Sequence, residues 1–420
     1  MQTCPRSPAD ERAAPPRTRY GWLREILKQP WPWWRKLAEA GWLGGESREP
    51  VLDGMRGIAI LLVFLAHADR TFLWLREGVA GEWASLWFTN GVGHAGVELF
   101  FVLSGYLLYG YLVAEPRAYG PFLKRRIERL YPAFLAVFTL YLALSYARPD
   151  RSKIPPGWDG AGYLAANILL LPGIFDMRPM ITVAWSLSYE LLFYLIVPWV
   201  ALSMRRWRPR ARCWTLLGFA LAYTAYSVTD RYREVHVGGL PLPPAAHMRL
   251  VMFVAGMLVY EWSRMEGVRA RLTRGMEAAA LAAAVLAAGF VYWTQEHPQA
   301  LAAWLPGFGE FPDVYRVWAL AAAAPGLFLC ALWGGGLVGR VLRWPWLRWL
   351  GQQSYSFYLM HGLAMLAASE VLRRWLSPGL AAYWVAVAVV GLASGTVSTL
   401  LFALVEKPLS LAVHIKSARL

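Results

Sequence analysis

The sequence predicts an all-α, polytopic membrane protein with about ten transmembrane helices and with both termini in the cytoplasm. Hydrophobic residues make up 57% of the 420 residues, charged residues only 16%, and the mean hydropathy is +0.35. Soluble domains carry about 25% charged residues, and no polar block of this chain is long enough to fold separately. Nucleic-acid binding is also disfavoured, because the net charge of +15 is spread over short segments between apolar runs.

Ten apolar stretches approach or meet the length of about 17–25 residues that a helix needs to span a bilayer. Residues 1–50 are expected to form a disordered and interfacial tail without a signal peptide, residues 51–408 the ten-helix domain, and residues 409–420 a cytoplasmic tail. The predicted spans are 54–73, 95–113, 131–147, 181–203, 213–229, 248–262, 276–293, 314–333, 355–375 and 380–405.

The charge of the loops predicts the orientation, because lysine and arginine are enriched on the cytoplasmic side of membrane proteins. The loops that follow spans 2, 4, 6 and 8 hold 17 basic residues, whereas the alternate loops hold 8. The N-terminal tail holds nine more. Both termini are therefore predicted to be cytoplasmic, which agrees with an even number of spans.

The first predicted span carries Arg56 and His67, which stand 11 residues apart. At about 100° per residue, 11 residues complete about three turns, so the two side chains share one helix face roughly 16 Å apart along the axis. We expect both to face one cavity and to serve two ends of an elongated ligand. Taken singly, Arg56 also fits a topology anchor and His67 the outer membrane interface.

The second predicted span begins with His94 and Glu98, which lie four residues apart and therefore share a face. An ionisable group inside a spanning helix is costly, and this makes each one a candidate for function. A buried carboxylate can pair with a histidine and fix its tautomer. A purely structural pair between Glu98 and an arginine is the alternative.

A basic run stands just ahead of the third predicted span and contains Arg125, Arg126 and Arg129. Arginine forms fork-shaped hydrogen bonds to phosphate, so this run is suited to hold the phosphates of a ligand at the cytoplasmic surface. The same run also fits an anchor that only sets topology.

Polar residues also interrupt two later spans, namely Trp185 and Glu190 in span 4, and Ser354, Tyr358 and His361 in span 9. In lipid, such residues must face partner helices or a wet cavity. Interhelical hydrogen bonding is the alternative for the serine and the tyrosine. The chain has no phosphate-binding loop, no zinc-protease motif and no paired cysteines, so no metal is expected.

Seven motifs follow one another over residues 52–408, namely Arg56-x10-His67, Gly96-Val97-Glu98-Leu99-Phe100-Phe101, Arg125-Arg126-x-x-Arg129, Trp185-Ser186-Leu187-x-x-Glu190, Phe253-x-x-Gly256-Met257, Leu350-Gly351-x-x-Ser354-Tyr355 and Glu406-Lys407-Pro408. In their residues and their order they resemble the motifs of the acyltransferase 3 family of integral membrane O-acyltransferases. One departure is Met360, which stands where the family often has a tryptophan.

The resemblance implies an enzyme of the cytoplasmic (inner) membrane that transfers an acyl group, commonly acetyl, from acyl-CoA to a hydroxyl. The acceptor class would be a sugar, a glycan, a glycolipid or a small natural product. By the same resemblance, His67 falls on the catalytic histidine of the family's Arg-x10-His motif, and Glu98 falls on the family's acidic position. The partners of such an enzyme would be acyl-CoA, the acceptor and membrane lipid.

A mechanism follows in which His67 is the general base, Glu98 its orienting or charge-balancing partner, and Arg56 a holder of the CoA phosphates. His361 is an alternative base.

A proton-coupled transporter using Glu98, Glu190 and His67 is the alternative function, although the two halves of the chain show no clear repeat. The sequence does not predict the acceptor, the length of the acyl chain or the oligomeric state, and a homo-oligomer is one of the alternatives. Further phosphate contacts are expected from Arg125, Arg126 and Arg129, and substrate contacts from His94, Trp185, Glu190, Tyr358 and His361.

Overall fold

The computed structural model is helical throughout the part of the chain that it describes and contains no strand there. The tail residues 1–48 and 410–420 and the candidate site residue His94 lie outside the described residues. Those described are 49–76, 92–93, 95–175, 177–236, 248–265, 267–297, 299–300, 303 and 312–409.

The main helices follow one another in chain order, with short helical turns at Leu73–Arg76, Pro149–Arg151, Thr182–Ala184 and Val268–Arg271. A π-helical turn, Gly105–Tyr109, interrupts α2, and a second one, Phe402–Glu406, follows α13. The helices are α1 (Pro50–Thr71), α2 (Ala95–Ala114), α3 (Tyr119–Ala147), α4 (Gly157–Ile168), α5 (Trp185–Met204), α6 (Pro209–His236), α7 (Leu250–Arg264), α8 (Arg274–Glu296), α9 (Pro312–Trp333), α10 (Leu337–Leu342), α11 (Pro345–Gln352), α12 (Ser354–Leu372) and α13 (Leu380–Leu401).

Each of the ten predicted spans coincides with one of these helices, and seven helices of the described residues are long and apolar enough to cross a membrane. The helices α6, α7 and α12 do not meet that criterion. Helix α7, for example, has 15 residues, which at 1.5 Å per residue span only about 22 Å. The chain is therefore a multi-pass membrane protein, while the count of ten and the orientation stay predictions.

Helix α1 lies at the centre of the fold, because α2, α11 and α12 all pack against it. Its apolar side chains Ala59, Ile60 and Val63 are almost fully buried. Two backbones meet closely at its N-terminal end, where a Cβ atom on Gly351 of α11 would lie 1.8 Å from the carbonyl oxygen of Asp53. This contact fixes the end of α1 that carries Arg56.

Helix α4 lies between α3 and α5 and was not predicted from the sequence. The hydroxyl of Tyr131 in α3 donates to the carbonyl of Ile168 at the end of α4, at 3.1 Å. The ammonium of Lys153 then donates to the carbonyls of Pro179 and Met180, both at 3.1 Å, and to Thr182 Oγ1 at 3.0 Å. These bonds hold the connection that leads into α5.

Candidate active site

The larger of two neighbouring cavities has a volume of about 620 Å³ and lies beside the N-terminal half of α1. Four of the charged residues singled out in the sequence line it, namely Arg56, Arg126, Arg129 and Glu190. We call it the large cavity. Its other polar lining residues include Ser104, Tyr106, Ser186, Tyr194, Tyr260, Ser354, Tyr355 and Tyr358.

The lining of the large cavity is predominantly cationic, with three guanidinium groups against one carboxylate. The carboxylate, Glu190, accepts a hydrogen bond from Tyr194. Arg56 Nη1 lies 3.2 Å from Asp53 Oδ1. Asp53 does not line the cavity itself, and this ion pair orients the Arg56 guanidinium. Such a surface suits an anionic ligand, because guanidinium groups bind phosphate through paired hydrogen bonds.

Arg125 is predicted to bind the same phosphates but is absent from the lining of the large cavity. The helical rotation explains this difference. At about 100° per residue, Arg129 projects between the directions of Arg125 and Arg126. The cavity lies on the Arg126 side of that arc, so Arg125 is turned away from it.

The second cavity has a volume of about 170 Å³ and lies beside the C-terminal half of α1. We call it the small cavity. His67, Glu98 and Trp185, all candidates from the sequence, line it together with Arg70 and Arg249. The structure thus brings the predicted base, a carboxylate and two guanidinium groups around one space.

Arg56 and His67 line two adjoining cavities rather than the single one expected from their spacing, and the two cavities share Val97 and Tyr358 in their linings. The hydroxyl of Tyr358 donates to the carbonyl of Val183 at 2.5 Å and lies 2.7 Å from Ser186 Oγ. Helical periodicity places both residues on one face of α1, but it carries no information about Tyr358 of α12, which lines both cavities.

The orientation of His67 is set by the backbone of its own helix. His67 Nδ1 lies 2.8 Å from the carbonyl oxygen of Val63. A carbonyl can only accept, so Nδ1 carries the proton and the neutral ring keeps an unprotonated Nε2. His67 is therefore in the tautomer that can take a proton from a group in the small cavity.

Glu98 forms an ion pair with Arg249 just before α7, and the Arg249 guanidinium also lies 5.5 Å from the ring centroid of Trp185. The carbonyl of Val63, and not Glu98, therefore binds Nδ1 of His67. Glu98 was predicted either to orient the base or to balance its charge, and only the charge-balancing role stays a prediction. Arg249 was not among the candidates from the sequence. It lies within predicted span 248–262, so the reasoning that selected Glu98 as an intramembrane charge would also have found it.

His361 is fully buried and lines neither cavity. Its ring packs edge-to-face against His67, with 5.0 Å between centroids. His361 Nδ1 lies 3.1 Å from the carbonyl oxygen of Phe357, and its Nε2 has no hydrogen-bond partner among the described residues. His361 is thus placed behind His67 and away from the space that a substrate would fill.

The family model for an acyltransferase domain matches residues 49–404, which include every described residue of both cavities. The chain belongs to the acyltransferase 3 family. The resemblance noted from the motifs is thereby confirmed, and the chain is a membrane acyltransferase by family.

Relatives at 26% identity support the same class. They include "Acyltransferase MdmB" of Streptomyces mycarofaciens, over 86% of this chain and 91% of the relative, and "Putative peptidoglycan O-acetyltransferase YrhL" of Bacillus subtilis, over 77% of this chain. The chain spans about half the length of the latter. "O-acetyltransferase OatA" of Staphylococcus aureus matches 45% of this chain and 32% of its own length. No solved structure gives a significant match.

Proposed function

We propose that this protein transfers an acyl group, most simply acetyl, from acyl-CoA to a hydroxyl of a sugar, glycan, glycolipid or small natural product. The observation that carries the proposal is the position of His67. Its unprotonated Nε2 belongs to a small cavity that adjoins, across Tyr358, a larger cavity lined by three arginines. This arrangement provides separate sites for an anionic donor and for a hydroxyl acceptor.

The donor site is the large cavity. Its volume of about 620 Å³ lies within the range of about 300–1,000 Å³ that is typical of sites for small molecules and cofactors. Arg126 and Arg129 of α3 and Arg56 of α1 line this cavity and are available for the phosphates of CoA. The pantetheine arm would then extend toward Tyr358, which places the thioester at the wall between the two cavities.

The acceptor hydroxyl enters the small cavity and is activated by His67. Nε2 takes the hydroxyl proton while the oxygen attacks the thioester carbonyl, and the tetrahedral intermediate then expels the CoA thiolate. The proton held on Nε2 is released to the thiolate, so the products are the ester and neutral CoA thiol. General-base assistance of this kind contributes about 10²–10⁴ in rate.

The loop charges support a donor site that opens to the cytoplasm, where we place both chain termini. Helices α2, α3, α5 and α7 all line the large cavity together with Arg56, and the basic segments adjoin the C-terminal ends of α2, α5 and α7 and the N-terminal end of α3. By the positive-inside rule these ends face the cytoplasm. The small cavity then lies on the side of the opposite membrane face.

The test is an assay of purified protein in proteoliposomes with acetyl-CoA that carries label in the acetyl group. Glycan, lipid and small-molecule fractions of the host are supplied as acceptors, and products are identified by a gain of one acetyl mass. We expect release of CoA thiol that depends on acceptor and equals the label transferred. Movement of an acceptor across the membrane with no covalent change and no CoA release would instead favour a transporter.

A further inference from the structure

We propose that the small cavity selects an acceptor that carries a negative charge, a carboxylate or a phosphate, next to the hydroxyl that is acylated, and that Arg70 binds this charge. The inference rests on the proposed function, because it assigns the small cavity to the acceptor. It adds the chemical class of the acceptor and one specificity-determining residue.

The charges that line the small cavity do not cancel. Arg249 is matched by Glu98, with which it forms an ion pair. Arg70 also lines the cavity, is exposed, and forms no hydrogen bond or ion pair with its side chain among the described residues. With His67 neutral, the described lining therefore has one net positive charge. A ligand that brings one negative charge complements it.

The charged groups next to Arg70 have partners, whereas the Arg70 side chain has none among the described residues. One residue before it, Asp69 is buried and accepts two hydrogen bonds from Arg76, at 2.8 and 2.7 Å. Tyr383 of α13 donates a third bond to Asp69 at 3.2 Å. Asp69 is thus turned into the protein while Arg70 is turned toward the cavity, so the nearest carboxylate in sequence is not its counter-ion.

The helix also fixes how far the charge lies from the reacting oxygen. Arg70 follows His67 by three residues, nearly one turn, so the two side chains project to the same side with a rise of about 4.5 Å between them. The cavity holds about 170 Å³, well below the size of a site for a whole drug-sized ligand. The anion and the hydroxyl must therefore belong to the same small unit of the acceptor.

Binding to the purified full-length protein in lipid nanodiscs tests the inference without knowledge of the natural acceptor. The probes are methyl β-glucoside, which is neutral, methyl β-glucuronide, which carries a carboxylate, and glucose 6-phosphate. Equilibrium dialysis measures each affinity for the wild type, for Arg70→Gln, for Arg70→Lys and for Arg178→Gln. Arg178 is a matched control, because it is an exposed arginine that lines neither cavity.

We expect at least one anionic probe to bind about 10- to 100-fold more tightly than the neutral one, as a charged hydrogen bond allows. The preference between glucuronide and phosphate identifies which anion the site takes. Arg70→Gln should abolish the discrimination, Arg70→Lys should keep part of it, and Arg178→Gln should keep all of it. Equal binding of neutral and anionic probes, no binding of any probe, or unchanged discrimination in Arg70→Gln would overturn the inference.

The proposed function fails by a different observation. If labelled acetyl-CoA gives an acetylated product that is neutral on an anion-exchange column, the acyltransferase activity stands and the anionic acceptor does not. If no acyl transfer occurs while the anionic probes bind through Arg70, the site is real but its assignment to an acylation acceptor is wrong.

Discussion

His67 and His361 have the same local hydrogen bonds but different access to the cavities. In each ring Nδ1 is held by the carbonyl four residues earlier, at 2.8 Å from Val63 and at 3.1 Å from Phe357. Of the two, His67 lines the small cavity, whereas His361 lines neither of the two cavities described above. A base must reach the proton that it abstracts, so the structure favours His67 over the alternative left open by the sequence.

This difference gives the first prediction. His67→Gln should lower kcat for acyl transfer by about 10²–10⁴-fold, because the base is lost, while the affinity for acyl-CoA changes little. His361→Gln should have a much smaller effect on kcat, since His361 only packs against the base. The measurement is steady-state transfer from labelled acetyl-CoA, with CoA binding followed separately. An equal loss of kcat in a folded His361→Gln protein would reassign the base.

The pair formed by Glu98 and Arg249 gives the second prediction. Glu98 is almost completely buried, and its side chain pairs with a guanidinium that is only partly exposed. Arg249→Gln takes that partner away, and breaking such a pair from one side costs about 3–5 kcal/mol. We expect the double variant Glu98→Gln/Arg249→Gln to recover much of this loss, because it leaves no isolated charge.

Chemical or thermal unfolding of the four proteins in one detergent, analysed as a double-mutant cycle, measures the coupling between the two residues. Losses that simply add would mean that the two side chains do not stabilise each other. The pair also shows what sequence reasoning can reach. Two opposite charges in two apolar spans predict a partner for Glu98, but the choice among the arginines of the chain depends on which helices pack together.

At the scale of the helix, the π-helical turn of α2 packs against α7 at two glycines. A Cβ atom on Gly256 would lie 2.0 Å from the carbonyl oxygen of Val102, and one on Gly105 would lie 2.1 Å from that of Phe253. Small residues at such contacts let helix backbones approach closely in membranes. Because α7 directly follows Arg249, this contact also determines where the guanidinium meets Glu98.

Gly256→Ala should therefore lower the stability by about 1–3 kcal/mol, which is typical of overpacking, and should reduce acyl transfer by displacing Arg249. Gly395→Ala in α13 is the matched control, because nothing lies within 4 Å of its added Cβ. There the substitution should be neutral or stabilising by about 0.5–1 kcal/mol. Melting temperatures in detergent compare the two, and equal effects would show that the close approach of α7 to α2 is not important for stability.

The elements that the sequence predicted are those with a strong apolar signal. All ten apolar stretches became helices, since hydropathy and length determine them. Helix α4 was missed because Gly157–Ile168 has only 12 residues, fewer than a bilayer-spanning helix needs. The position of α4 depends on long-range bonds, such as that from Tyr131 to Ile168, which no local pattern contains.

For the molecule as a whole, the division into two cavities is the feature that sequence periodicity could not supply. Arg56 and His67 share a helix face as predicted, but Tyr358 from α12 and Val97 from α2 stand in the walls of both cavities. Their position results from the packing of three helices that are far apart in sequence. In the proposed mechanism, donor and acceptor consequently meet where the two cavities adjoin.

The last prediction concerns which cavity faces which side of the membrane. Trp158, at the start of α4, is 92% exposed at the Arg70 end of the bundle, and Trp207, between α5 and α6, is 46% exposed at the Arg56 end. In a chain whose three cysteines, Cys4, Cys213 and Cys330, are replaced by serine, Trp158→Cys should react with a membrane-impermeant thiol reagent in intact cells. Trp207→Cys should react only after permeabilisation, because the basic loops hold that end in the cytoplasm. The reverse pattern would place the mouth of the large cavity outside the cell, where acyl-CoA is not supplied, and would remove acyl-CoA as the donor while leaving family membership unchanged.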